Sequence, residues 1–91
     1  MDHFNYQQGF LFAEEVSLNL IAEKHGTPSY VYSRATLERH AKAYTESFNA
    51  MNGLVCFSVK ALSNISILRV LKECGCGFDI VSGGELHRAL L

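Results

Sequence analysis

Leu54-Val55-Cys56-Phe57-Ser58-Val59-Lys60, then Ser63-Asn64-Ile65-Ser66-Ile67-Leu68-Arg69-Val70-Leu71, then Gly77-Phe78-Asp79-Ile80-Val81 is the stretch whose reading decides the fold. Its first piece is apolar on nearly every residue instead of alternating, the pattern of a strand covered on both faces in a parallel sheet. The middle piece offers Ser63 or Asn64 as a helix cap, with Ile65, Leu68, Leu71 and Ile67 on the helix and Gly75 at its end. Phe78 to Val81 is a second short buried strand. Strand, helix and strand in this order make a βαβ unit. Ser82-Gly83-Gly84-Glu85 then opens another helix in capping-box form, with serine at the N-cap and glutamate three residues later. Such alternation predicts an α/β fold with a parallel sheet, either doubly wound or a barrel.

Toward the amino terminus, Leu37, Ala41, Tyr44 and Phe48 form one stripe of a helix that Ser33 can cap, while Glu38, Arg39, Lys42 and Glu46 lie off it. Tyr30-Val31-Tyr32 before it is a β-rich triplet. Ser17 caps a further helix from Leu18 to His25, with Leu18, Ile21 and Ala22 on one face. Gly26 supplies its C-cap and Pro28 follows. Gly9 followed by Phe10-Leu11-Phe12-Ala13 is a short candidate strand. There is no internal repeat, low-complexity tract or flexible linker.

Composition narrows the function classes. Among 91 residues, 48% are apolar and nine acids oppose eight bases, for a net charge of -1. No field of one sign is present to gather phosphate backbone or anionic lipid, so neither nucleic acid nor a membrane is an expected partner. No apolar run is longer than that of Leu54 to Phe57, far below the roughly 20 residues that cross a bilayer. Met1-Asp2-His3-Phe4 lacks the basic start and apolar block of a secretory signal, so the expected location is cytoplasmic. Cys56, Cys74 and Cys76 are odd in number and lack a second pair at zinc spacing, and His3, His25, His40 and His87 are scattered, so no metal site is expected. His87-Arg88-Ala89-Leu90-Leu91 carries no helix-stop signal, and the expectation is the amino-terminal piece of a longer protein.

In a parallel α/β fold, chemistry gathers where strands end and the following loops begin. Lys60 stands at that edge. Strand alternation puts it on one face with Ser58, Cys56 and Leu54, and Val59, Phe57 and Val55 on the other. An amine leaving so apolar a strand is partly stripped of water, which favours the neutral form and condensation with an aldehyde. The alternative is a stem packed on the strand with its ammonium in solvent. Asp79, an acid within a buried strand, calls for a partner, or else faces water at the strand end. For Glu85 the capping box is a sufficient account. Ser82-Gly83-Gly84 reads first as a tight strand-to-helix turn, since a single pair of glycines is a weak signal, with a phosphate cradle at the helix start as the alternative.

Taken in order, Val55-Cys56-Phe57-Ser58-Val59-Lys60-Ala61, Ser63-Asn64, Leu68, Gly77-Phe78-Asp79-Ile80-Val81-Ser82 and Gly84-Glu85-Leu86 resemble the amino-terminal signature of the fold-type III pyridoxal-phosphate decarboxylases. Within that family the chain is most similar to the branch acting on diaminopimelate, whose lead-in Gly26-Thr27-Pro28 and Tyr30-Val31-Tyr32 resemble. The resemblance implies the first part of an alanine-racemase-like (β/α)8 TIM barrel, incomplete here because such a barrel takes about 250 residues. It implies that Lys60 binds pyridoxal 5'-phosphate covalently and is catalytic, and that Asp79 and Glu85 line the cofactor pocket. Residues 1–32 would be a lead-in segment bordering the family's separate β-domain, and 33–91 the first helix and first βα units of the barrel. The implied reaction takes meso-2,6-diaminopimelate to L-lysine and carbon dioxide, the last step of lysine biosynthesis, in a homodimer acting on a small amino acid. The 91-residue piece alone is expected to be inactive. Rival readings are a decarboxylase of the same family for ornithine, arginine or carboxynorspermidine, and a non-catalytic module that binds the cofactor or a partner. The chain departs from the family at Leu62, where asparagine is usual, and at Ser58, where alanine is usual.

Overall fold

The computed structural model describes residues 3–91, and the chain divides into two units between Leu37 and Glu38. Of the lead-in segment, residues 1 and 2 lie outside the described residues. In the first unit, β1 (Phe4–Gln7), β2 (Phe10–Ala13) and β3 (Val16–Ser17) form an antiparallel sheet in that order. Gln8 and Gly9 join β1 to β2 with φ of 52° and 86°, the left-handed pair that a two-residue hairpin needs for its twist to match the strands. The apolar run from Phe10 to Ala13 is thus a strand, while β1 and β3 were not legible, being too polar or too short for periodicity.

Ser17 ends β3 and caps α1 (Leu18–His25), its hydroxyl accepting the Asn19 N–H at 3.2 Å. Gly26, at φ 79°, donates to the Ala22 carbonyl at 2.9 Å and ends the helix as the sequence predicts. Tyr30-Val31-Tyr32 belongs to no strand. Its β-rich composition fits a pleated surface only where a neighbouring strand pairs with it. α2 (Arg34–Asn49) follows, capped by Ser33, whose Oγ accepts the Thr36 N–H at 3.1 Å.

In the second unit, Ala41 is buried, while Tyr44 and Phe48 are exposed at 61% and 40%, so the predicted stripe on α2 is only partly covered. Phe48 instead receives the chain after the helix: Gly53 donates to its carbonyl at 2.8 Å. A Cβ on Gly53 would lie 3.0 Å from the Phe48 ring. β4 spans Cys56–Ser58, shorter than the apolar run, because the backbone tightens into a 3₁₀ turn over Val59–Ala61. α3 (Ile65–Glu73) is capped by Asn64, whose Oδ1 accepts from Ser66 N at 2.9 Å and Ile67 N at 3.3 Å.

α3 ends in a Schellman arrangement. Gly75, at φ 91°, donates to the Lys72 carbonyl at 2.9 Å, and Cys76 donates to the Leu71 carbonyl at 3.1 Å. This reverses the chain into β5 (Gly77–Asp79), which pairs in parallel with β4. α4 (Gly83–Leu90) closes the described chain. Val59, fully buried, with Ile67, Leu68 and Leu71 forms the core of the βαβ unit. The parallel strand-helix-strand prediction is correct.

Candidate functional site

The site is built at the carboxyl ends of β4 and β5. Their register pairs Cys56 with Gly77, Phe57 with Phe78 and Ser58 with Asp79. A Cβ on Gly77 would meet Cys56 Sγ and Leu54 Cδ2, each at 3.3 Å. These three positions therefore share one face, and alternation carries Ser58 and Asp79 onto it. Phe57 and Phe78 take the opposite face, where Phe78 lines a groove with Ile65, Leu68, Arg69 and Lys72 of α3 and Arg88 of α4. That groove lies on the helix side of the sheet, away from the face that carries Asp79.

Lys60 sits in the middle of the 3₁₀ turn that leaves β4, at the strand end where the sequence places it. It is exposed. The desolvation suggested by the apolar strand is not supplied by the described residues: strand alternation stops at Ser58, so burial falls on Val59 and the following residue is lifted off the sheet. Asp79 is the last residue of β5 and is also exposed. Glu85 occupies the first turn of α4, where Ser82 Oγ accepts its N–H at 3.1 Å and its own Oε1 accepts the Val81 N–H at 3.2 Å. The reciprocal bond of the capping box thus reaches one residue further back than Ser82 and fixes the β5–α4 loop. Added Cβ atoms at Gly83 and Gly84 would meet nothing closer than Ser82 Oγ at 3.9 Å, so the helix start is open.

Lys60, Asp79 and Glu85 are thus brought to one edge of one parallel pair. A primary amine in a turn, with a carboxylate on the adjacent strand end, is a donor set that fits a pyridoxal group: the amine condenses with an aldehyde, and a carboxylate faces a cationic nitrogen favourably. Elsewhere, Cys76 has its thiol pushed up by burial and by the neighbouring Cys74 and Cys56. Among the described residues no group of three His, Cys, Asp or Glu side chains is placed to hold a metal ion, and no helix is long and apolar enough to cross a membrane.

One residue escaped the sequence reading. Glu14, at φ 55° between β2 and β3, accepts the Ser33 hydroxyl at 2.7 Å and the Ala35 N–H at 3.1 Å. Those bonds, the Ser33 hydroxyl first, hold its carboxyl below the usual carboxylate range. No local pattern signals this tie, because its partners stand 19 and 21 residues away.

The family described as "Pyridoxal-dependent decarboxylase, pyridoxal binding domain" matches residues 34–91, the span holding all three edge residues. The chain belongs to the pyridoxal-dependent decarboxylases. Within them, it is 57% identical over 90 residues to the diaminopimelate decarboxylase of Pseudomonas fluorescens, which covers 99% of this chain and 22% of that protein. The solved diaminopimelate decarboxylase of M. jannaschii superposes with a TM-score of 0.88 at 35% identity, covering 98% of this chain and 22% of that one. A co-complex of the M. jannaschii enzyme with L-lysine gives a TM-score of 0.87 at 34% identity, covering 96% of this chain and 21% of that one. The chain therefore spans about a fifth of the length of the relatives it matches. Its fold is the α/β fold of the amino-terminal part of a TIM-barrel decarboxylase.

Proposed function

We propose that this chain supplies the lysine-bearing segment of a pyridoxal 5'-phosphate-dependent carboxy-lyase that converts meso-2,6-diaminopimelate to L-lysine and carbon dioxide, the last step of lysine biosynthesis. The observation that carries the proposal is Lys60 in the turn leaving β4, at the edge where Asp79 ends the parallel partner strand, within the residues matched to a pyridoxal-binding domain. The names of the relatives support the substrate, and the L-lysine complex of the M. jannaschii enzyme supports a pocket suited to the product.

When bound, pyridoxal phosphate supplies an electron sink for the pair left behind as the carboxylate departs. Lys60 would hold the cofactor through its amine, and its exposed place in the middle of a short turn would leave that side chain free to move. Asp79 lines the pocket from the adjacent strand end and favours positive charge at a nitrogen facing it. Glu85 lines it from α4, and its bond to the Val81 N–H keeps the loop after β5 in place. Residues 1–32 border a separate β-domain and 33–91 open the barrel. The remaining strands, and the rest of the site, come from polypeptide beyond this chain. The complete enzyme is a cytoplasmic homodimer.

The test is carbon dioxide release by the full-length protein with pyridoxal phosphate, offered meso-diaminopimelate, ornithine, arginine or carboxynorspermidine. Release from meso-diaminopimelate with L-lysine as product is expected, falling at least about 100-fold in Lys60→Ala. Preference for another of these amines, undiminished turnover in Lys60→Ala, or no turnover of any of them overturns the proposal.

A further inference from the structure

Lys60 stands in the middle of the 3₁₀ turn over Val59–Ala61, so whatever fixes that turn places the amine. Ser58, from which the turn departs, gives it no side-chain capping bond. Lys60 and Ala61 are both exposed. The hydrogen bond that closes the turn runs from the Leu62 N–H to the Val59 carbonyl at 3.1 Å. Val59 therefore holds the accepting end of that bond, and its side chain is fully buried, in the core that Ile67, Leu68 and Leu71 of α3 complete. An interior packed this closely leaves a buried side chain little room, and the backbone bearing it is fixed in turn.

We infer that Val59 is a positioning residue for Lys60: its side chain, seated in the core of the βαβ unit, anchors the turn and so sets where the neighbouring amine stands at the sheet edge. Lysine carries its ammonium on a flexible four-carbon stem, so the fixity of the amine comes from the backbone beneath it. Cutting Val59 to alanine leaves a cavity under that backbone and lets the turn shift. A misplacement of about 1 Å at a reacting group can cost about 100-fold in rate. Leu68, 3% exposed, belongs to the same core but to α3, which contributes no residue to the turn. Its loss therefore weakens the core without releasing Lys60. The inference rests on the proposed function and adds to it a residue that acts through Lys60.

The test mixes pyridoxal phosphate with the full-length protein freed of cofactor and follows growth of the visible absorption band, which gives a rate constant for capture per folded molecule. Val59→Ala is expected to lower that constant at least about 5-fold. Val59→Thr keeps the branched shape while burying a hydroxyl, so it should lose stability yet capture within about 5-fold of the wild type. Leu68→Ala, which removes more buried carbon, should unfold more readily than Val59→Ala and also capture within about 5-fold of the wild type. A smaller loss in Val59→Ala, or a loss as large in Val59→Thr or Leu68→Ala, overturns the inference while leaving Lys60 as the cofactor's lysine. A second measurement needs no variant: in the wild-type holoprotein the Leu62 amide should be protected from hydrogen exchange, and exchange at the rate of a free peptide overturns the inference whether or not Val59→Ala folds. Absence of a borohydride-fixed pyridoxyl group on Lys60 in the wild-type protein overturns the functional reading itself, and the role of Val59 with it.

Discussion

Replacing Gly75 with alanine should loosen the junction between α3 and β5. Gly75 adopts φ 91°, and an added Cβ would meet nothing within 4 Å. The penalty is therefore conformational and not steric, roughly 1–2 kcal/mol for an L side chain held in the left-handed region. At 1.36 kcal/mol per tenfold, that is about a 5- to 30-fold rise in local opening. The reporter is the Cys76 amide, which donates to the Leu71 carbonyl only while the motif is intact. Hydrogen exchange in the full-length protein should show its protection fall by that factor in Gly75→Ala, and by less in Gly75→Asn, since asparagine visits this region more readily. The next amide, Gly77, donates to the Val55 carbonyl at 2.8 Å and sets the register that pairs Ser58 with Asp79. Loss at Cys76 should therefore spread to Gly77. Unchanged protection in Gly75→Ala, or an equal loss with asparagine, would refute this reasoning.

Leu68, 3% exposed in the core of the βαβ unit, should cost about 2–5 kcal/mol when cut to alanine, and denaturant unfolding that shows no loss contradicts its place there. Glu14 tests the first unit through pH. Its carboxyl is held low by the Ser33 hydroxyl and the Ala35 N–H. A depressed folded value means stabilisation that is present above the ordinary carboxylate range and lost as pH falls through the folded value. Glu14→Gln should thus melt below the wild type at pH 7 and converge with it in acid, whereas a gap independent of pH would count against the tie. Among the thiols, Cys56 is exposed while Cys76 is pushed up by burial and by Cys74 and Cys56. Iodoacetamide at pH 8 should modify Cys56 before Cys76, as read by peptide mass, and the reverse order would contradict this environment.

Much of this was legible in local signals. Ser17, Ser33, Asn64 and Ser82 each cap a helix through a side-chain oxygen that the sequence already offered. The unbroken apolar run before Lys60, with the helical spacing after it, gave the parallel pair and the edge where the candidate residues meet. What was hidden depended on distant partners. β1 and β3 exist because β2 pairs with both, and Tyr30-Val31-Tyr32 is no strand because none of the described strands pairs with it. The strand before Lys60 stops early because its backbone tightens at Val59, a choice of turn that hydropathy does not encode. Glu14 bonds across 19 residues, beyond any periodicity. At the site, alternation placed Ser58 and Cys56 on one face correctly, but the opposing Asp79 required the register of the second strand.

Borohydride reduction of the full-length protein in the presence of pyridoxal phosphate, followed by peptide mapping, measures the central claim most directly. A pyridoxyl group on Lys60, absent in Lys60→Ala, is the predicted result. A group on Lys24, Lys42 or Lys72 instead, or labelling of the protein that survives Lys60→Ala undiminished, would contradict it.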